Sequence, residues 1–268
     1  MKVYEFGSAD KPSIMLFPGT CCYWKTNFGH VLDHLQKHFY TLIVSYSGFD
    51  ETEDTTFISE LDEVQKVETY IKDRLHGNLF AAYGCSLGGS FVSLLVSRQN
   101  IHIDHAIIGS SDMDQTSKWV AKLETAIMMP IFYPLITGKG GTLLKRVFEK
   151  KMNEGNDSSD YIKKFMDMMG LNSGIDFSFI SKESMKNQFC TDLYTPVGEH
   201  IEVPGTTIHV FYAKKMGEKY RDRYLKHFSH PEICEFDLQH EELLLDADRW
   251  TQEVCCVCEV DHGSVLPS

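Results

Sequence analysis

No stretch of this sequence reads as a membrane-spanning helix. The richest run, Ala126 to Ile136, covers eleven residues and is interrupted by Pro130 and Pro134, whereas a membrane helix takes about 20 apolar residues without such breaks. The opening residues, MKVYEFGSADKPSIMLF, lack the long apolar core of a secretory signal and lead into strand-like sequence. A cytoplasmic location is therefore expected. Positive charge is also scarce: 26 Lys and Arg stand against 38 Asp and Glu, a net charge of -12. With no basic stripe and no Arg/Lys cluster interleaved with aromatics, neither nucleic acid as a partner nor stable membrane association is expected. The acidity reads as solubility.

The eight cysteines lack the spacing of a disulfide framework, since they include the adjacent pairs Cys21-Cys22 and Cys255-Cys256 with Cys258 close by. They read as free thiols. The CCVC run has no second Cys or His pair, so it does not read as a zinc site. His30, His34 and His38 repeat at four-residue spacing without an acidic or third-segment partner, and read as a polar helix face. Neither a metal nor a cofactor is expected, and oligomeric state is not legible.

What the chain does have is length and a rhythm. Its 268 residues, 43% hydrophobic, suffice for one large domain with a sizeable core. Short runs rich in β-branched and aromatic residues (SIMLF at 13–17, YTLIVSY at 40–46, LFAAYG at 79–84, HAIIGS at 105–110, TTIHVFYA at 206–213 and ICEFDL at 233–238) read as buried strands. Amphipathic segments separate most of them. Phe57, Leu61, Val64, Val67, Ile71 and Leu75 form one stripe over 56–75, and Trp24, Phe28, Val31, Leu32 and Leu35 form another. This alternation predicts an α/β protein with a mostly parallel sheet covered on both faces, its site at the carboxyl ends of the strands. The rhythm breaks at 114–202, a Met-, Phe- and Lys-rich stretch with the run AIMMPIFYPLI, a polar NEGNDSSD connector and no strand pair. It predicts a helical cap inserted over the sheet, dividing the core into 1–113 and 203–268. Met128 and Phe132 are candidate pocket linings within it.

Between the strand at 79–84 and the apolar helix that follows lies Gly84-Cys85-Ser86-Leu87-Gly88, a G-x-S-x-G pattern. A serine on a tight strand-to-helix turn holds its hydroxyl clear of the backbone, and the flanking glycines remove Cβ atoms that would collide as strand and helix close up. The Leu87 N–H would face the same space at the positive end of the helix. A glycine-rich turn that happens to hold a serine would show the same five residues. The position of the pattern between strand and helix favours the catalytic reading.

With LFPGT after an early strand, GCSLGG at the turn and LQHEELL after the last strand, the chain resembles the α/β-hydrolase superfamily over nearly its whole length. The resemblance implies a serine esterase or lipase-like enzyme with an inserted cap. Ser86 would be the nucleophile and His240 the base. The N–H groups of Thr20 and Leu87 would form the oxyanion hole, although Pro18 stands where the family usually has histidine. The acid is where the sequence departs from the family, because Met216 occupies the usual position. Asp112 at the end of the preceding strand, Glu218 and Asp114 are the candidates, with Asp112 favoured, while Asp222 falls within a helix. The expected activity is cleavage of a small-molecule carboxylic ester through an acyl-enzyme. Two alternatives stay open: an acyltransferase or thioesterase on the same site, and a non-catalytic binding protein on the same fold.

Overall fold

The six apolar runs become strands, and a seventh strand joins them at the edge. A computed structural model of the chain describes residues 1–138 and 157–260. The strands are β1 (Lys2–Phe6), β2 (Ser13–Phe17), β3 (Tyr40–Ser45), β4 (Asn78–Gly84), β5 (His102–Ile108), β6 (Thr207–Ala213) and β7 (Glu232–Phe236). They lie in the order β1-β3-β2-β4-β5-β6-β7. All neighbours are parallel except β1, which runs antiparallel to β3 with Val3 opposite Val44. KVYEF was not among the expected strands. It carries Lys2 and Glu5 and is only partly buried, the composition of an edge rather than of a core strand. The centre is different: Ile14, Met15, Leu16 and Phe17 of β2 are fully buried.

The chain moves from β2 outward to β3, then returns to place β4 on the other side of β2. The winding direction therefore reverses between β2 and β4, and the loops leaving their carboxyl ends diverge. A crevice at such a reversal is where ligands enter open α/β sheets. The topology puts the loop after β2 and the turn after β4 side by side.

The helices are α1 (Trp24–Phe28), α2 (Leu32–Leu35), α3 (Glu60–Leu75), α4 (Leu87–Arg98), α5 (Lys118–Ile136), α6 (Asp157–Met168), α7 (Lys182–Tyr194), α8 (Glu218–His227) and α9 (Ala247–Val257). The stripe from Trp24 to Leu35 is not one helix. A 3-10 turn over Gly29–Val31 divides it, and this keeps Phe28, Val31 and Leu35 all buried while His30 Nε2 meets the Leu244 carbonyl at 2.7 Å. Helix α3 starts four residues later than its stripe because Ser59 caps it, accepting the Asp62 N–H at 3.2 Å, with Glu60, Asp62 and Glu63 in the first turn. Helix α4 is buried on every side from Leu87 to Val96, and its Ser93 hydroxyl is satisfied by the Gly89 carbonyl at 2.6 Å.

Between β5 and β6 the described residues 111–200 form only helices, turns and loops. The polar NEGNDSSD stretch falls partly outside the described residues, and from Asp157 onward it is the start of α6 rather than a connector. By length and composition α5 is apolar enough to cross a membrane, and it contains both Pro130 and Pro134. It packs on α7 through an edge-to-face contact of Phe132 with Phe189, centroids 5.3 Å apart. Its opposite face carries Trp119, Leu123, Ile127 and Ile131 at four-residue spacing, all exposed.

The seam between the β5–β6 segment and the rest of the chain is acidic. Asp192 of α7 accepts the Ser90 hydroxyl of α4 at 3.2 Å, and its carboxyl is pushed up to about 8 by burial and by Asp112 and Asp114. Glu60 is raised for the same reasons, burial first and then Asp192. A carboxyl that stays protonated in the folded chain stabilises fully below its ordinary value near 3.8, and that contribution is lost as pH rises through about 8. The melting temperature should therefore fall between about pH 5 and about pH 8, and fall less in Asp192→Asn. Parallel pH profiles for the two proteins would contradict this.

Candidate active site

Two missing side chains shape the site. A Cβ on Gly84 would stand 2.1 Å from the carbonyl carbon and oxygen of Gly88, and a Cβ on Gly88 would stand 2.1 Å from the Phe17 carbonyl oxygen. No heavy atom tolerates that approach, so helix α4 reaches the ends of β2 and β4 only because both positions are glycine. The sheet ladder continues through Cys85, whose N–H donates to Phe17 O at 3.0 Å. All the reversal then falls on one residue. Ser86 adopts φ 50°, ψ -112°, a conformation worth about 1–3 kcal/mol of strain for a residue with a side chain.

Ser86 occupies the position that caps α4, yet its hydroxyl does not cap the helix. It meets His240 Nε2 instead, at 3.1 Å. His240 comes from the loop after β7, on the far side of the sheet from β2. Its carbonyl accepts the Tyr161 hydroxyl at 2.8 Å, and its ring lies 6.1 Å from that of Phe165. Helix α6 thus covers the histidine loop. Within that loop Glu242 accepts the Gln239 N–H at 2.6 Å.

The loop after β2 is held at nearly every polar atom. Gly19 N–H donates to Asn27 Oδ1 at 3.0 Å, Cys21 N–H to Gln188 Oε1 at 2.7 Å, Cys22 N–H to Gly19 O at 3.1 Å, and Tyr46 Oη to Pro18 O at 3.1 Å. The N–H of Thr20 donates to no group among the described residues, nor does that of Leu87 at the head of α4. The two free donors sit on the two loops that the topology brings together. A helix start leaves such N–H groups without internal partners and adds the positive end of its dipole.

The expected acids are elsewhere. Asp112 is exposed; its Oδ1 accepts the Asp114 N–H at 3.4 Å, and its carbonyl accepts Arg223 Nη1 at 2.7 Å. Asp114 pairs with Arg223 at 2.6 Å. Glu218 is exposed in the first turn of α8, Asp222 is exposed further along that helix, and Met216 ends a 3-10 turn after β6. Among the described residues no carboxylate reaches a ring nitrogen of His240. Nor is there a group of three or more His, Cys, Asp or Glu placed to hold a metal ion; His30 meets the Leu244 carbonyl and His34 lies 2.8 Å from Asp248. Met128 and Phe132 are half-buried on α5, and Phe132 serves the contact with α7.

One carboxylate that no sequence motif marks does enter the site. Glu241 is 2% exposed; its Oε1 accepts the backbone N–H of Ser86 at 2.7 Å, and its Oε2 accepts the Tyr83 hydroxyl at 3.0 Å. Hydrogen bonds to a carboxylate contribute about 1.5–3 kcal/mol each, enough to offset the strain of the turn. Its charge also acts on its surroundings. Burial first, and Glu241 second, push the Cys22 thiol up to about 12 and the Cys85 thiol well above its usual range. Cys85, next to the serine, is therefore a neutral, buried thiol. All eight cysteines are free.

No family model and no curated protein matches the chain. Solved structures do. A protein described as of the alpha/beta hydrolase family, from Desulfitobacterium hafniense, is 18% identical with a TM-score of 0.74, covering 96% of this chain and 99% of its own. MenH from S. aureus is 12% identical with a TM-score of 0.67, covering 96% and 97%. The enol-lactonase from Burkholderia xenovorans LB400 is 14% identical with a TM-score of 0.65, covering 96% of each. The fold is that of the α/β-hydrolases.

Because neither Asp112 nor Glu218 touches His240, Asp112→Asn and Glu218→Gln should each leave the rate at which a fluorophosphonate labels the protein within about threefold of wild type. A loss of about a hundredfold or more in Asp112→Asn would instead assign it the orienting role of a triad acid.

Proposed function

We propose that the chain is a serine hydrolase acting on carboxylic esters, and the contact of Ser86 Oγ with His240 Nε2 at 3.1 Å on a strained strand-to-helix turn carries this reading. His240 takes the hydroxyl proton as Ser86 Oγ attacks the acyl carbon. The N–H groups of Thr20 and Leu87 receive the oxyanion, an interaction worth about 3 kcal/mol per donor where it has been measured. His240 returns the proton to the leaving alcohol, and the acyl-enzyme forms. Water, deprotonated by the same imidazole, then attacks the acyl carbon and frees Ser86. The helical segment between β5 and β6 is read as a cap, since α6 covers the histidine loop through Tyr161 and α7 grips the loop after β2 through Gln188.

The structural neighbours carry names such as esterase and enol-lactonase, which support hydrolysis of an acyl–oxygen bond by analogy of fold. A second reading has one observation in its favour. His240 has no carboxylate on its ring among the described residues, as expected of a binding protein that kept the fold and lost turnover. Turnover of p-nitrophenyl esters of increasing acyl length separates the two. The wild type should hydrolyse at least the short-chain esters, and Ser86→Ala should lose at least about 10³-fold in kcat while its melting temperature stays close to wild type. Turnover retained in Ser86→Ala, with contaminating esterase excluded, would overturn the assignment. Wild-type protein inert to both ester and fluorophosphonate would favour the binding reading.

A further inference from the structure

We propose that Glu241 is a positioning residue that locks the nucleophile turn to the histidine loop. This rests on the reading of Ser86 as nucleophile. The two catalytic side chains come from opposite parts of the chain, 154 residues apart, and nothing covalent between β4 and β7 sets their separation. Glu241 is adjacent to His240 in sequence and bonded to the Ser86 N–H at 2.7 Å. One short arm therefore joins the backbone of the serine to the backbone of the histidine. Any drift of the loop after β7 away from the turn stretches this bond before it lengthens the contact of Ser86 Oγ with His240 Nε2.

The arrangement is built for that task. Glu241 itself sits at φ 54°, a conformation that turns its side chain back beneath the sheet end while His240 stays at the surface of the site. Tyr83 Oη holds the second carboxylate oxygen at 3.0 Å, and Tyr83 is wedged edge-to-face against Trp250, centroids 4.8 Å apart. Both Tyr83 and Trp250 are fully buried. Gly109 completes the pocket: a Cβ there would stand 2.8 Å from Glu241 Oε1 and 2.9 Å from Tyr83 Oη. The carboxylate accepts from the Ser86 N–H and the Tyr83 hydroxyl, with the Cys85 thiol as a further neutral neighbour, and among the described residues it has no charged partner. A salt bridge would neutralise charge; this contact fixes distance.

The test is the ranking of three variants in ester turnover. Glu241→Gln keeps the length of the arm and an oxygen for the Ser86 N–H, and Tyr83 can reverse its hydroxyl to accept from the new amide; kcat should stay within about fivefold of wild type. Glu241→Asp keeps the charge but shortens the arm by one methylene, and Glu241→Ala removes it. Both should lower kcat by at least about thirtyfold with KM within about threefold, since a misplacement of about 1 Å costs on the order of a hundredfold. Active-site titration with fluorophosphonate reports the folded, competent fraction, so a variant that only folds poorly would show normal kcat per labelled site. That result, or an Asp variant as active as Gln, would overturn the proposal. Ser86→Ala in the same assay separates the two claims: if it retains turnover the nucleophile is misassigned, whereas a dead Ser86→Ala beside a fully active Glu241→Ala leaves the nucleophile in place and removes only the role of Glu241.

Discussion

The structure depends on one close approach: helix α4 meets the ends of β2 and β4 at a distance that leaves no room for a Cβ at Gly84 or Gly88. Once the helix is that near, the chain must reverse within a single residue, and Ser86 takes the backbone conformation that results. Two consequences follow directly. The serine hydroxyl does not cap the helix, and the first N–H of the helix has no partner among the described residues. The loop after β2 supplies a second free N–H at Thr20, because its neighbours Gly19, Cys21 and Cys22 are all bonded elsewhere. The placement of the serine and of two unbonded N–H groups thus arises from packing geometry, before any side chain is chosen for its chemistry.

The histidine arrives from the opposite direction and is held differently. Its loop leaves β7, is pinned from inside by Glu241 and is covered from outside by Tyr161 and Phe165 of α6. A protein that places an acid on Nδ1 of such a histidine fixes the ring from its far side. Here the fixing is on the backbone, one residue along, and the carboxylate involved faces the serine turn and not the imidazole. This difference has an electrostatic side: burial first, and the Glu241 carboxylate second, raise the neighbouring Cys22 and Cys85 thiols.

Most of the architecture was legible because it rests on periodicity. Buried parallel strands must be runs of apolar, branched residues, and the covering helices must carry stripes, so six strands and the long helix α3 could be read without the fold in hand. The edge strand β1 escaped because KVYEF puts Lys2 and Glu5 on opposite faces of a half-buried strand, so it shows neither an apolar run nor a clean alternation. Ser86 and His240 stood out because glycine spacing and chain order mark them. Glu241 did not, for a physical reason: in QHEELL two adjacent glutamates look alike, and only the fold turns one of them inward to the Ser86 N–H while the other caps its own loop. The acid expected at Asp112 rested on its place at the end of a strand. The structure gives that carboxylate to the turn at Asp114 and its carbonyl to Arg223.

Mass spectrometry of the intact protein, quenched in acid within the first turnover of a p-nitrophenyl ester, addresses the central claim without relying on rates. A mass gain of one acyl group per chain is expected, located by peptide mapping on the segment that contains Ser86. Turnover with no acyl adduct, or an adduct on a cysteine or lysine with Ser86 unmodified, would contradict it.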